Sequence, residues 1–222
     1  MRIHLKISSD GTVIPFDHQK KLAGTIHKWI GKENSEHGNI SLYSYSMLTN
    51  GKRSTDLKGL IFERGTTLFI SAHKNSLIKN IINAIKKDPI LFNGLKVAEI
   101  VIQEDPDLSQ KEYFLIGSPV LTKRKVENGR VKHFSYDEAA SSEFLKETLI
   151  NKMAIAGLSD NTLRIEFDKN YPKAKTKVIN YGGIKNKANI CPVIIHAKPE
   201  TKVFAWNVGI GNSTGIGFGA LI

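Results

Sequence analysis

A chain of 222 residues with 41% hydrophobic and 24% charged side chains can bury one large core or two small ones, and its balance excludes a disordered tail, a collagen-like rod and a coiled coil. No run approaches the roughly 18 apolar residues that cross a bilayer, and the N-terminus, Met1-Arg-Ile-His-Leu-Lys-Ile7, alternates where a signal peptide would be continuously apolar. Thirty-two Lys and Arg against 21 Asp and Glu leave a net charge of +11, which favours a polyanionic partner, nucleic acid ahead of an acidic membrane surface. The one cysteine, Cys191, builds neither a disulfide framework nor a cysteine-rich zinc site, so a soluble, cytoplasmic, nucleic-acid-binding protein is expected.

The first 105 residues read as strand, helix, strands, helix, strand. Residues 2–8 alternate, with Ile3, Leu5 and Ile7 on one face. From Asp17, a candidate N-cap, the spacing of Leu22, Ile26 and Ile30 is that of an amphipathic helix stopped by Gly31. Residues 42–48 read as a strand, and residues 57–62 and 67–71 as a hairpin around Arg64-Gly65. Leu77, Ile78, Ile81, Ile82 and Ile85 form the stripe of a second helix, and residues 97–103 a closing strand. That order is the ferredoxin-like split unit, with a linker at Asp105-Pro106-Asp107.

The second half follows the same grammar less regularly. Residues 113–120 read as a strand and residues 121–134 as a basic hairpin around Asn128-Gly129. Ser135-Tyr-Asp-Glu138 is a capping box opening a helix to about Ala156. Strands are predicted over 163–167, 175–181, 193–197 and 203–208. One helix among many strands predicts a degenerate ferredoxin-like unit in which hairpins displace the second helix. The predicted fold class is therefore α+β, two tandem ferredoxin-like (RRM-like) domains, 1–105 and 111–222, the second degenerate with extra hairpins.

The most specific motif is C-terminal: Gly209-Ile-Gly211-Asn-Ser-Thr-Gly215-Ile-Gly217-Phe-Gly219. Glycine at this density lets backbone approach backbone, or a phosphate, closely and take up positive φ. A dinucleotide-binding loop needs a helix after it, yet only three residues follow Gly219, and no Gly-Lys-Ser/Thr of a P-loop occurs.

Gly-Ile-Gly, a gap, then Gly-Phe-Gly resembles the signature loop of the CRISPR-associated repeat-RNA endoribonucleases of the RAMP superfamily. Ile14-Pro-Phe-Asp-His18-Gln, Leu22-Ala-Gly-Thr-Ile-His27, Tyr43-Ser-Tyr-Ser-Met-Leu48 and Gly59-Leu-Ile-Phe-Glu-Arg-Gly65 extend the resemblance over essentially the whole chain. It implies two tandem ferredoxin-like domains, in agreement with the element order. It further implies metal-independent cutting within the repeat of a CRISPR precursor transcript, the 2′-hydroxyl attacking in line to leave a 2′,3′-cyclic phosphate and a 5′-hydroxyl on the mature guide RNAs. No cofactor and no metal site is implied. CRISPR repeat RNA is the expected partner, and a CRISPR effector complex and a homodimer are further partners the resemblance allows. The same architecture also serves non-catalytic repeat-RNA-binding subunits, the alternative reading.

Such chemistry asks for a base on the 2′-hydroxyl, an acid on the leaving 5′-oxygen and a cation on the phosphorane; histidine suits both proton roles. By resemblance these are His27, at the end of the first helix where relatives carry a catalytic histidine or tyrosine, and His37 in the following loop. Which is base and which is acid stays open. Many relatives carry a lysine shortly after the second histidine; here Ile40-Ser41-Leu42 stands instead, and Lys52 is the favoured substitute among Lys52, Arg53, Lys28 and Lys32. His18 is assigned to anchoring the first helix. His4, His73, His133 and His196 show no paired carboxylate, and Cys191 reads as a core thiol.

For RNA binding, Lys123, Arg124, Lys125, Arg130 and Lys132 flank the basic hairpin, and Lys169, Lys173, Lys175 and Lys177 form a second cluster with Tyr171 and Tyr181 as stacking surfaces. The loop glycines Gly209, Gly211, Gly215, Gly217 and Gly219, with Asn212 and Ser213, are expected to present amide donors along one wall of that groove.

Overall fold

The computed structural model describes residues 1–31, 40–54, 56–127 and 129–222. In the first half, β1 (Arg2–Ser8) leads through β2 (Ile14–Pro15) into helix α1 (Gln19–Ile30). There follow β3 (Tyr43–Tyr45), β4 (Lys52–Ser54), β5 (Gly59–Ile61), β6 (Thr66–Ala72), helix α2 (Asn75–Lys87) and β7 (Lys96–Gln103). Strands β3-β6-β1-β7 form one antiparallel sheet in that order. With α1 linking β1 to β3 and α2 linking β6 to β7, this is the ferredoxin-like topology. The alternation of β1 does what it predicts: Ile3, Leu5 and Ile7 are buried with the α1 stripe Leu22, Ile26 and Ile30 and the α2 stripe Leu77, Ile78, Ile81 and Ile85.

Two local expectations are corrected. β5 does not form a hairpin with β6; it pairs with β2 and β4 in a separate three-stranded sheet, while Phe62 to Gly65 turns away with Gly65 at φ +72°. The cap of α1 is His18 rather than Asp17, and its ring Nδ1 donates to the Pro15 carbonyl at 2.8 Å.

The second half runs β8 (Tyr113–Phe114), β9 (Lys123–Lys125), β10 (Val131–His133), helix α3 (Ala140–Ile155), β11 (Arg164–Phe167) and β12 (Lys175–Tyr181). It closes with β13 (Ile184–Ile190), β14 (Val193–His196), helix α4 (Pro199–Val208) and a 3₁₀ turn, Thr214–Ile216. The sheet order is β11-β14-β8. On the other edge of β8, Ile116 bridges Leu221 antiparallel and the Ile222 amide donates to Leu115, so the C-terminal residues take the fourth strand's place.

The expected strand over 203–208 is helix α4. Pro199 at its first turn and Glu200 in the same turn are helix-start signals, but Phe204, Ala205, Trp206 and Val208 are all buried because α4 lies between the second core and the first sheet's β3 and β6. Burial on every side erased the 3.6-residue periodicity. The second helix is thus present, and the hairpins β9/β10 and β12/β13 are additions to the unit. The expected Ser135 capping box is made only in half: the Ser135 amide and hydroxyl both donate to Glu138 Oε1, the Glu138 amide donates to the Ser135 carbonyl in a turn, and α3 starts later with Ala139 as its cap. Strand β13, which the sequence pattern does not predict, pairs with β12 across Gly182 and Gly183, both at positive φ.

Arg2, 2% exposed, ties the halves together: its guanidinium lies 3.9 Å from the Phe69 ring and 3.4 Å from the Trp206 ring and donates to the carbonyls of Trp206 and Leu221.

Candidate active site

The glycine-rich segment after α4 folds back on itself so tightly that side chains have no room. A β-carbon on Gly219, at φ +70°, would stand 1.9 Å from the Ile210 carbonyl oxygen, and one on Gly215 would stand 2.2 Å from the Ser41 hydroxyl. The amides of Gly209, Gly217 and Gly219 donate to Ala205, Thr214 and Pro119. The amide donors of Gly209, Gly217 and Gly219 are thus spent inside the fold rather than offered to RNA, and all five loop glycines are buried. What the loop shows to solvent is Asn212, Ser213 and Ile216, all half-buried, with Ser213 in the left-handed region at φ 64°. Phe218 anchors the loop in a small cluster with Leu121, Ile179 and Ala188, at the base of the β12/β13 hairpin.

Helix α1 grips this loop along one side. At its start Gln19 Nε2 donates to the carbonyls of Ile216 and Gly217, at 3.0 and 3.1 Å. Two turns later His27 Nε2 stands 3.0 Å from the Gly215 carbonyl oxygen, and the buried Tyr43 hydroxyl donates to that same oxygen at 3.1 Å. A carbonyl oxygen only accepts, so Nε2 carries the hydrogen and the imidazole tautomer is fixed. Both lone pairs of the Gly215 oxygen are thereby used to orient side chains from α1 and β3.

On the loop's other side Lys152 of α3 is buried, donating to the Val208 carbonyl at 3.1 Å, the Gly209 carbonyl at 3.1 Å and Thr214 Oγ1 at 3.0 Å. Its three donors meet three acceptors, two of them carbonyls at the C-terminal end of α4, where a cation is favoured. Burial pulls its pKa down from 10.5 to about 7. Sequence reasoning missed Lys152, although it falls on the apolar stripe Leu145, Leu149, Met153.

His37 and Lys32 lie outside the described residues; the chain leaves the described region at Gly31, one turn after His27, and re-enters at Ile40, beside Ser41. Lys52 sits on β4, its exposed ammonium paired with Glu63 at 2.6 Å, and Lys28 is bound to Asp88 and the Ile90 carbonyl. Lys123, Arg124, Lys125 and Lys132 do share one hairpin, joined to β13 through β10, with Arg130 at its turn and Lys175 and Lys177 exposed on β12. Arg124 is pinned by the Lys123 and Phe144 carbonyls and Glu147, over the Phe144 ring. His196 does have a carboxylate partner, Glu112, at 3.0 Å, a pairing made across strands that sequence spacing hides. Cys191 is buried, its thiol pushed up to about 11 by burial and by nearby Asp168.

A family model described as CRISPR associated protein Cas6, C-terminal, matches residues 102–221. A Pyrococcus furiosus protein named as a CRISPR-associated endoribonuclease-like protein Cas6 is 28% identical, over 99% of this chain and 97% of its own length. Among solved structures, one described as CRISPR associated protein Cas6 superposes with a TM-score of 0.83 at 22% identity, covering 100% of this chain and 98% of that one. Another, described as a RAMP protein binding different RNA substrates, superposes with a TM-score of 0.82 at 22% identity and the same coverage. Both share the tandem ferredoxin-like fold.

Proposed function

The chain belongs to the Cas6 family of CRISPR-associated proteins, and from that premise we propose that it is an endoribonuclease that cuts CRISPR precursor RNA within the repeat by a metal-independent transesterification. The 2′-hydroxyl beside the scissile phosphate loses its proton to a base and its oxygen bonds to phosphorus. The bond from phosphorus to the 5′-oxygen breaks, and an acid returns a proton to that oxygen. The products are a 2′,3′-cyclic phosphate and a 5′-hydroxyl, and no divalent ion is needed at any step.

The observation that carries this reading is the hydrogen bond from His27 Nε2 to the Gly215 carbonyl. His27, its ring oriented by the Gly215 carbonyl, is the proposed proton-transfer group: as a base it serves the 2′-hydroxyl, as an acid it serves the leaving oxygen. His37 is the proposed second proton-transfer group, in a stretch whose described neighbours Gly31 and Ile40 lie on either side. Lys52, held by Glu63, is not proposed as the phosphorane-stabilising cation. The exposed lysines of the two hairpins are the proposed track for the RNA backbone, their attraction arising from counterion release.

The test is to incubate the protein with repeat RNA in EDTA and map both new ends. A 3′-terminal cyclic phosphate at one position in the repeat is expected. A 3′-hydroxyl with a 5′-phosphate, or cleavage abolished by the chelator, overturns the mechanism, and binding without cutting at any metal concentration would make the chain a passive RNA holder.

A further inference from the structure

Beside the Gly215 turn lies a cleft of about 280 Å³ between α3, β9 and the glycine-rich loop. Among its lining residues are Arg124, Asn151, Lys152, Ser213 and Ser41, with Ile40 as an apolar lip. Three features suit it to a nucleotide rather than to a helix of RNA. It is large enough for one base but not for a duplex. One wall is held rigid: the Arg124 guanidinium, paired with Glu147 and fixed by two carbonyls over the Phe144 ring, needs no side-chain ordering when a ligand enters. Its hydroxyl is carried by Ser213, a non-glycine residue held at φ 64° and ψ 35°, a backbone conformation that costs energy and persists where the surroundings over-determine it.

The cleft also adjoins the proposed reaction centre. Ser41 lines it and at the same time packs against Gly215, whose oxygen orients His27. Lys152 forms the floor, but its three donors are already spent on Val208, Gly209 and Thr214, so recognition falls to the rim.

We propose that this cleft is a subsite for one unpaired nucleotide of the RNA, adjacent to the scissile phosphate, with Asn151 and Ser213 reading the base edge. An amide and a hydroxyl together offer donors and acceptors to the Watson–Crick edge of a splayed base, the mode by which single-stranded RNA is read. The proposal rests on the cleavage reading for its position, and on the cleft for its chemistry.

The experiment uses the full chain and a set of repeat RNAs, each with 2-aminopurine at a different position flanking the cut and a 2′-deoxy sugar at the cut itself. One flanking position is expected to change its fluorescence on binding, and Asn151→Leu to abolish that change. Ser213→Gly, which keeps the left-handed backbone and removes only the hydroxyl, is expected to reduce it. In cleavage of ordinary RNAs carrying each of the four bases at that position, the wild type is expected to discriminate by roughly 10-fold or more and Asn151→Leu by far less, as removal of a base-edge hydrogen bond predicts. Cleavage with no fluorescence response at any flanking position overturns the subsite and leaves the nuclease standing. A response abolished by Asn151→Leu in a protein that never cuts overturns the nuclease and leaves the subsite standing. A response identical in wild type and both variants overturns the assignment of Asn151 and Ser213.

Discussion

His27 and Gly215, 188 residues apart in the chain, are joined by a 3.0 Å hydrogen bond from the imidazole Nε2 to the glycine carbonyl. That bond links the last turn of the first helix to the signature loop at the other end of the sequence. It gives a loop that spends the amides of Gly209, Gly217 and Gly219 internally a place beside the proposed proton-transfer group. The loop's contribution is a carbonyl, presented at a fixed place by backbone packing too tight for any side chain.

The packing makes Gly215→Ala a sharp probe. Its methyl would displace the Ser41 hydroxyl and press on the Tyr43 hydroxyl, at 2.2 and 3.0 Å, tilting the carbonyl that holds His27. We expect single-turnover cleavage to fall by about 10- to 100-fold, the scale of a misplacement near 1 Å, and thermal stability to fall by about 1–3 kcal/mol. The double variant Gly215→Ala, Ser41→Gly should recover much of the rate. A double variant no faster than Gly215→Ala alone would mean that the carbonyl does not act through this contact.

Lys152 carries a pH signature. Burial lowers its pKa from 10.5 to about 7 in the fold, so between those values the unfolded chain binds more protons than the native one and stability contributed by this residue rises with pH. The penalty of a buried ammonium is complete below pH 7 and is relieved on going up toward 10. Compared with Lys152→Met by urea unfolding, the wild type should therefore gain relative stability between pH 6.5 and pH 9. A difference that is flat or falls over that range would contradict the assignment.

The two hairpins should act through charge alone. Lys125 and Lys177 are exposed, one on each hairpin, and the double substitution to alanine should lower the slope of log affinity against log salt by about 1 for each phosphate no longer neutralised. Fluorescence anisotropy from 50 to 300 mM salt reads this directly. An unchanged slope with weakened binding would point to a role in folding.

Much of this was legible in the sequence because the signals were local. The stripe Leu77, Ile78, Ile81, Ile85 can pack in one way, and so it does. The alternation of Ile3, Leu5 and Ile7 likewise puts one face of β1 on the helices. Failures came where two layers bury one element from both sides. Helix α4 is buried all round over its last two turns, polar Asn207 included, and reads as a strand, while Gly182-Gly183 between β12 and β13 is a turn signal with no alternating strand after it to confirm it. At the site, His27 was reachable through its motif and its place at a helix end. Lys152 was not, since a lysine on an apolar stripe reads as solvated until the acceptors around it are seen. The His196–Glu112 pair depends on strand register, which no spacing in the sequence carries.

His27 is proposed to move a proton in the chemical step and to do little for binding. The direct measurement is single-turnover cleavage of repeat RNA by wild type and His27→Ala, with the affinity of each for the 2′-deoxy RNA taken in parallel. The account predicts a rate lower by roughly 100-fold or more with affinity within a few-fold. Equal rates, or a rate loss matched by an equal loss of affinity, would contradict it.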